Sequence, residues 1–211
     1  MSRPRTQPER LAATRSALLK AARTIFAEQG YEAAATEEIV RRAKVTRGAL
    51  YHHFADKRAL FDAVVGEVAR EIATRIEAAT PMRDPLEALT AGTAAFLDTC
   101  LDPAVRRIYL IDAPAVLGWH RWREIDAPHG VRSLREGVTA MLADRPGDAL
   151  AIEPTTFLLA GAFNEAALWI AEAKDEKLAR REMDRTLAAL IERVFLSHAG
   201  SARSPRARAR A

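Results

Sequence analysis

Residues 36–57 constrain the fold of this chain more tightly than any other stretch. They read Thr36-Glu-Glu-Ile-Val-Arg-Arg-Ala-Lys-Val-Thr-Arg-Gly-Ala-Leu-Tyr-His-His-Phe-Ala-Asp-Lys57. Thr36 is a candidate helix N-cap, and the two glutamates after it lie in a first turn, where the helix dipole favours anions. Lys44 and Val45 form a tight turn, after which Thr46 can cap a second short helix. The pattern predicts two short helices joined by a turn, with a further helix directly afterwards.

A helix, a short turn and a second helix form the arrangement in which the second helix enters the DNA major groove. Arginine can bond guanine bidentately, which gives about 1–3 kcal/mol of discrimination. Arg47, on the second helix, could contact a base in this way, or it could instead lie along the DNA backbone. Gly48 has no side chain and would let the helix approach the bases closely, and Arg41 and Arg42 on the supporting helix are expected to be solvated.

The same stretch resembles the N-terminal module of the tetracycline-repressor (TetR/AcrR) family. The resemblance covers residues 10–65 and rests on Gly30-Tyr31, Thr36, Ile39, Val45-Thr46, Gly48, Leu50-Tyr51, His53-Phe54, Lys57 and Leu60-Phe61. It implies a homodimeric, ligand-responsive repressor that binds a palindromic operator in double-stranded DNA. The dimer would hold two recognition helices about 34–36 Å apart. A small-molecule effector in the body would move the fourth helix and change that spacing.

The resemblance also implies roles for single residues. Contacts with DNA phosphates are implied for Thr36, Thr46, Tyr51, His53 and Lys57, and contacts with base edges for Arg47, Gly48 and His52. For the two threonines, capping and phosphate binding are compatible. For Lys57 there is a second reason to expect a bound phosphate. A cation at the positive end of a helix is disfavoured unless an anion lies nearby. The alternative is a solvated surface lysine.

Two positions depart from the family pattern. Lys44 stands where glycine is usual, and if its φ is positive the lysine costs roughly 1 kcal/mol relative to glycine. Lys44 could in return add a phosphate contact. Val40 stands where alanine is usual, which should alter how the two helices pack.

Charge is unevenly distributed along the chain. Residues 1–57 hold eleven basic and six acidic side chains, whereas the whole chain of 211 residues has a formal net charge of +4. Residues 199–211 add four arginines and no acid, and their Gly/Ser/Pro/Arg-rich composition predicts a disordered basic tail. The remainder is therefore acidic. A basic module on an acidic body fits a protein that meets nucleic acid at one end, although an ordinary surface fluctuation is the alternative.

The rest of the composition favours a cytoplasmic globular protein. No apolar run approaches the ~20 residues of a membrane helix, and the N-terminus does not resemble a secretory signal. Cys100 is the only cysteine, so an intrachain disulfide is excluded, which fits a reducing compartment.

Helical spacing recurs along the chain and strand-like alternation is missing, so the predicted fold class is all-α. We predict a three-helix helix-turn-helix domain over residues 1–57, with a linking helix at about 56–79. A helical effector-binding and dimerisation domain follows at 80–198, and the tail at 199–211. Within the body, Pro114 and Gly118 are expected to break the helical pattern, and a later helix is expected to be interrupted near Pro128.

The body contains the raw material for an apolar ligand cavity. Trp119 and Trp122 share one helix face after the Pro114–Gly118 break, and Asn164 is a polar residue on an apolar helix. An apolar pocket with few polar groups is what a small-molecule site requires. The candidate ligand-binding residues are Phe96, Cys100, Trp119, Trp122, Phe163 and Asn164. Plain core packing is the alternative for each aromatic residue, and a polar link across a dimer for Asn164.

The last two predicted helices favour a dimer interface. Met183, Leu187, Leu190, Ile191 and Val194 form an apolar stripe, and Gly161, Ala162, Ala166 and Ala167 would let helices approach closely. Proteins of the resembling family form a four-helix interface there, and packing within one chain is the alternative.

Other functional classes lack their motifs. The five histidines are scattered, Cys100 has no identifiable histidine partner, and a glycine-rich phosphate loop is missing, so we expect neither an enzyme nor a metal or cofactor site. A DNA-binding protein without effector control, either an activator or an architectural protein, remains an alternative, as does a small-ligand carrier.

Overall fold

The computed structural model describes residues 6–80, 84–143 and 150–196, and within these ranges the secondary structure is helical. The first half of the chain forms α1 (Gln7–Ala33), α2 (Thr36–Ala43), α3 (Arg47–His53), α4 (Lys57–Ala79) and α5 (Pro85–Cys100). The second half forms α6 (Pro103–Arg106), a π-helical segment (Arg107–Asp112), α7 (Ala113–Leu117), α8 (Trp119–Asp126), α9 (Gly130–Leu142), α10 (Ile152–Glu172) and α11 (Glu176–Leu196). The all-α prediction is confirmed. The predicted tail at 199–211 lies outside the described residues.

Side-chain caps fix the starts of several helices. Thr6 and Glu9 form a reciprocal capping box at α1, and Thr46 Oγ1 accepts from the Ala49 N–H at 3.2 Å at α3. Asp56 caps α4 through the Ala59 N–H at 2.7 Å. These bonds satisfy N–H groups that have no partner within the helix. The sequence predicts Thr36 as the N-cap of α2, and this prediction is wrong. The helix begins at Thr36 itself, one residue earlier than expected, so Ala35 occupies the N-cap.

The turn between α2 and α3 closes through Lys44 in the left-handed conformation. Its φ is 56° and its ψ is 41°, and its N–H caps α2 by donating to the Arg41 carbonyl. This is the only non-glycine residue with positive φ among the described residues. The strain anticipated for lysine at this position, roughly 1 kcal/mol relative to glycine, is therefore present.

The helical stretch from α6 to α7 passes through Pro114, where the sequence predicted a break. Proline has no N–H to donate and its ring clashes with the carbonyl four residues earlier. The chain accommodates this by widening into the π-helical segment before Pro114, where the Ala113 N–H donates to the Ile108 carbonyl five residues back. Helical structure then continues to Gly118, whose φ of 83° ends it.

Gly30 interrupts α1 and is held by the π-helical segment. Its φ of 81° and ψ of 167° belong to a region reserved for glycine. Arg107 Nη1 donates to the Ala27 and Glu28 carbonyls before the interruption, at 3.2 and 3.0 Å, and Asp112 Oδ2 accepts from the Tyr31 N–H after it, at 2.9 Å. Because a π-helix bonds residue i to i+5, these two side chains lie near one face and reach the same turn of α1.

The buried apolar side chains form one continuous core that runs from the N-terminal helices into the body. It joins Phe26, Ile39 and Leu50 of the first three helices to Leu97, Ile108 and Phe195 farther along. Helix α4 crosses between the two regions. The linking helix predicted at 56–79 therefore belongs to both.

Helices α10 and α11 each carry a buried and an exposed apolar face. Leu187 and Ile191 pack inside this chain, whereas Leu190 points outward. The apolar stripe predicted on α11 is therefore not one continuous surface, because only some of its residues face away from α10. On α10, Leu158 is 75 % exposed and Trp169 47 %.

Candidate functional site

Helix α3 lies at the surface with its polar residues facing outward. Leu50 is its buried anchor, and Arg47, Gly48, Tyr51 and His52 are exposed. A short helix held by one apolar residue and presenting a polar face has the form needed to enter a groove. Of the predicted contact residues, Lys44, Thr46 and Tyr51 are exposed, and Thr36, His53 and Lys57 are partly buried.

Gly48 has no packing role within the folded chain. A Cβ built at this position would meet only Thr46 Oγ1, at 3.9 Å, which is ordinary contact. Its φ lies outside the positive range, and glycine weakens a helix interior by roughly 0.5–1 kcal/mol relative to alanine. The chain therefore keeps glycine in the first turn of α3, on its exposed side, although the described residues around it leave room for a side chain.

Arg47 is held by neighbours on its own module. Its Nη1 lies 3.3 Å from Glu37 Oε1, and its guanidinium lies 5.6 Å from the Tyr51 ring centroid. Exposed pairs of this kind contribute little to stability, so moving the Arg47 side chain away from Glu37 costs little free energy. Arg41 pairs with Glu38 and Arg42 with Glu28, which agrees with the solvated face expected for those two arginines.

Lys57 is pre-oriented at the start of α4. Its Nζ donates to the Glu32 carbonyl at 3.2 Å and lies 4.4 Å from the Tyr31 ring centroid. The next turn of α4 is bound to the body, because Arg58 donates to the Leu117 carbonyl at 2.9 Å and Asp62 accepts two bonds from Arg121. Lys57 therefore lies where the N-terminal module and the body meet.

The imidazole of His53 is biased towards its neutral form. Burial lowers its pKa, and the charges of His52 and Arg15 lower it further. The two imidazole rings meet edge to face with their centroids 5.4 Å apart. A neutral His53 offers one donor and one acceptor on the α3 surface.

A cavity of about 420 Å³ lies in the body between the end of α4 and helices α5, α8, α9 and α10. Its volume is in the range of small-molecule sites. Helix α4 contributes Ile76 and Glu77, so the helix that begins with Lys57 ends at the cavity wall. The remaining lining residues are Thr80, Asp84, Pro85, Ala88, Leu89, Gly92, Thr93, Phe96, Asp126, Gly130, Val131, Ser133, Leu134, Glu136, Gly137, Ala140, Ala160, Phe163 and Asn164.

The structure brings together three of the six predicted ligand-binding residues. Phe96, Phe163 and Asn164 line the cavity. Cys100, Trp119 and Trp122 do not, and their predicted place beside the other three needs correction.

Each of these three residues has a physical reason to lie elsewhere. Cys100 is fully buried in the core, and burial raises the pKa of its thiol. Trp122 is buried against Tyr109, with ring centroids 5.7 Å apart. Trp119 is 57 % exposed, and its ring stacks on the Arg123 guanidinium, which also lies 4.7 Å from the Phe157 ring centroid.

Asp126 is a cavity residue that the sequence did not reveal. Its carboxylate accepts hydrogen bonds from the Tyr109 hydroxyl and the Gly130 N–H. Burial raises its pKa, while those two bonds and the charges of His129 and Arg123 oppose the rise. No local pattern separates Asp126 from Glu124, the exposed acid of the same helix. Its contact with Tyr109 depends on how α8 packs on the π-helical segment.

An ion-pair network ties α4 to α9 beside the cavity. Arg132 donates to Glu77 at 2.5 Å and to Glu136 at 2.9 Å, and both acids are lining residues. Among the described residues there is no group of three or more His, Cys, Asp or Glu side chains that could hold a metal ion. In the same ranges, no helix is long and apolar enough to cross a membrane.

Comparisons with known proteins agree with this geometry. Residues 18–64 match the family model of bacterial regulatory proteins of the tetR family. Residues 86–194 match a tetracyclin repressor-like C-terminal domain. Together these matches include α2, α3 and most of the cavity lining.

Individual relatives point the same way. The Transposon Tn10 TetC protein of Escherichia coli is 27% identical over 169 residues, which are 80% of this chain and 86% of that protein. The HTH-type transcriptional repressor Rv1474c of Mycobacterium tuberculosis is 39% identical over 88 residues, 40% of this chain and 47% of that protein. A TetR-family regulator structure from Pectobacterium atrosepticum superposes with a TM-score of 0.71 at 32% identity, covering 91% of this chain and 98% of that one. This chain therefore belongs to the TetR family of bacterial transcriptional regulators, whose members bind DNA and dimerise.

Proposed function

We propose that this protein is a homodimeric repressor that binds a palindromic operator through α3 and is released by a small molecule bound in the body cavity. The proposal includes no catalytic step and places the protein in the cytoplasm, where its DNA lies. The observation that carries it is the course of α4, which begins with Lys57, four residues after α3 ends, and has Ile76 and Glu77 of its last turns in the cavity wall. A ligand that shifts the end of this helix would also shift its start.

The proposed DNA contacts divide into two kinds. Lys44, Thr46, Tyr51, His53 and Lys57 would hold phosphates, with Thr36 at the start of α2, and Arg47 and His52 would face base edges beside Gly48. Phosphate contacts fix the position of the protein on the duplex and base contacts select the sequence. Arg47 would exchange its pair with Glu37 for a base.

Selection of bound duplexes from random DNA tests the operator proposal. We expect a palindrome with half-site centres about one DNA turn apart, which is about 34–36 Å. Arg47→Ala should relax the preference at one symmetric position per half-site, at a cost of about 1–3 kcal/mol. The matched control is Arg41→Ala, on the solvated face of α2, which should return the wild-type palindrome. A non-palindromic product, or an unchanged product from Arg47→Ala, would contradict this assignment.

A cavity-filling variant tests the effector proposal. Ala88 lines the cavity on α5, so Ala88→Trp would occupy much of the space that a ligand needs. The variant should select the same DNA as the wild type and lose its response to effectors. The alternative of DNA binding without effector control predicts no difference between the two proteins in reporter cells under any growth condition.

A further inference from the structure

The residues that line the cavity restrict the chemistry of its ligand. This inference rests on the proposed role of the cavity as the effector site. Among the described residues that line the cavity, none is Lys, Arg or His, whereas four are acidic. The four are Glu77, Asp84, Asp126 and Glu136. On the described part of the lining, a ligand therefore meets formal charge of one sign, which is negative.

Three of the four carboxylates are already engaged. Glu77 and Glu136 both accept from Arg132, at 2.5 and 2.9 Å. Asp84 is exposed and caps α5, where its Oδ1 accepts from the Leu86 and Glu87 N–H groups at 2.8 and 2.9 Å. Asp126, like Asp84, is in no ion pair among the described residues, but unlike Asp84 it is partly buried.

Asp126 has unused accepting capacity. An ionised carboxylate offers about four lone-pair sites, and the Tyr109 hydroxyl and the Gly130 N–H occupy two. Gly130 leaves this carboxylate space, because a Cβ at that position would lie only 2.9 Å from Asp126 Oδ1. The nearby cations, Arg123 and His129, are not lining residues, and the Arg123 guanidinium lies 4.7 Å from the ring centroids of both Trp119 and Phe157.

The surroundings of Asp126 in the cavity are mainly apolar. Helices α4, α5, α9 and α10 contribute Ile76, Leu89, Phe96, Leu134 and Phe163. In such surroundings a hydrogen bond to a charged group is stronger than in water, and an unpaired buried charge is costly.

We infer that the cavity selects a compact, apolar or aromatic molecule bearing an ammonium or a comparably strong N–H donor, which binds Asp126, and that it rejects the corresponding carboxylate. An ammonium would supply a positive charge, which none of the described lining residues carries. A carboxylate would place a second negative charge beside Asp126, and none of the described lining residues carries a positive charge to compensate it.

Three probes that share one ring system test this inference on the full-length protein. They are 2-naphthylmethylammonium, 2-naphthylmethanol and 2-naphthoate, and their dissociation constants can be measured by titration calorimetry at neutral pH. We expect affinity to fall in that order, with the ammonium favoured over the carboxylate by about 10- to 100-fold, as for a hydrogen bond to a charged group. Equal affinities, preference for the carboxylate or failure of the ammonium to bind would overturn the inference.

The isosteric variant Asp126→Asn locates the selectivity. It retains an acceptor for Tyr109 and removes the charge, so the ratio between ammonium and carboxylate should fall towards one. Glu87→Gln, an exposed change on α5 outside the cavity, should retain the wild-type ratio. An unchanged ratio in Asp126→Asn would overturn the assignment. If circular dichroism shows that this variant does not fold, Gly130→Ala, whose methyl crowds the same carboxylate, should also reduce the ratio.

Operator binding separates this inference from the proposed function. If the ammonium binds with the expected preference and leaves DNA affinity unchanged, ligand selection by Asp126 stands and the effector role of the cavity fails. If a carboxylate ligand releases the DNA and the ammonium does not bind, the effector role stands and the inference fails.

Discussion

Gly48 is retained on α3 although the folded chain does not need glycine there. Gly48→Ala should raise the free energy of unfolding by about 0.5–1 kcal/mol, because alanine is the better helix former and its methyl meets only Thr46 Oγ1. The same change should weaken operator binding, because the methyl would separate α3 from the bases. Urea unfolding and DNA titration measure the two effects. A variant that is more stable and binds DNA as tightly as the wild type would show that nothing approaches this position closely.

Lys57 gives a second residue-level prediction. If it binds phosphate, Lys57→Ala should weaken binding to operator and random DNA alike, and the slope of log K against log salt should fall by about one unit per lost contact. Binding measured over a range of salt concentrations checks this. Lys174→Ala, an exposed change between α10 and α11, is the matched control and should leave the slope unchanged. An unchanged slope in Lys57→Ala would mean that its contacts with Glu32 and Tyr31 are its whole role.

At the residue scale, most predictions from local signals are confirmed, although the Thr36 cap is not. The caps at Thr46 and Asp56 and the positive φ of Lys44 depend on neighbours within a few residues. Sequence reasoning failed for Trp119 and Trp122, because spacing shows that two indoles share a helix face and does not show whether that face meets a cavity, a ring or solvent. Asp126 was missed for the same reason, since Tyr109 reaches it only through tertiary packing.

At the scale of elements, the exposed apolar faces of α10 and α11 predict the dimer interface. Leu158 and Leu190 point outward, and a Cβ at Gly161 would have no neighbour within 4 Å in this chain. Burying one such leucine is worth about 1.5–3 kcal/mol. Leu158→Glu and Leu190→Glu should therefore give monomers in analytical ultracentrifugation, whereas Leu11→Glu, a similarly exposed site on α1, should not. Dimers of normal affinity in all three variants would place the interface elsewhere.

The helix order was predictable because periodicity, prolines and glycines mark element ends. The π-helical segment was not predictable, because a proline in a helical pattern is as compatible with a break in the helix as with a widened turn before it. In this chain the buried residues Ile108, Tyr109 and Leu110 hold the stretch in the core, so widening costs less than unwinding. The sequence also could not show which residues of the α11 stripe are buried, since this depends on where α10 lies.

At the scale of the whole molecule, the π-helical segment connects the cavity to the N-terminal module. Tyr109 bonds the cavity residue Asp126, and Asp112 bonds the backbone N–H of Tyr31, whose ring lies beside Lys57. Asp112→Ala should lower the factor by which an effector weakens DNA binding by about 2- to 30-fold, the effect of a coupling change of 0.5–2 kcal/mol. The affinity for each ligand alone should change less.

Linkage supplies the check on that variant. The factor by which ligand weakens DNA binding must equal the factor by which DNA weakens ligand binding, so both titrations should report the same loss. Ile111→Ala, an exposed neighbour in the same segment, is the control and should leave the factor unchanged. Wild-type coupling in Asp112→Ala would exclude this route.

The continuous core has a consequence for how the molecule unfolds. Because one cluster of buried side chains spans both regions, the N-terminal module and the body should melt as a single cooperative unit. All three tryptophans lie in the body, so their fluorescence and the amide exchange of α3 should report one urea midpoint. A cavity ligand at 100 times its dissociation constant should then protect α3 by the same ~2.7 kcal/mol as the body. Protection confined to the body would show that the two regions open independently.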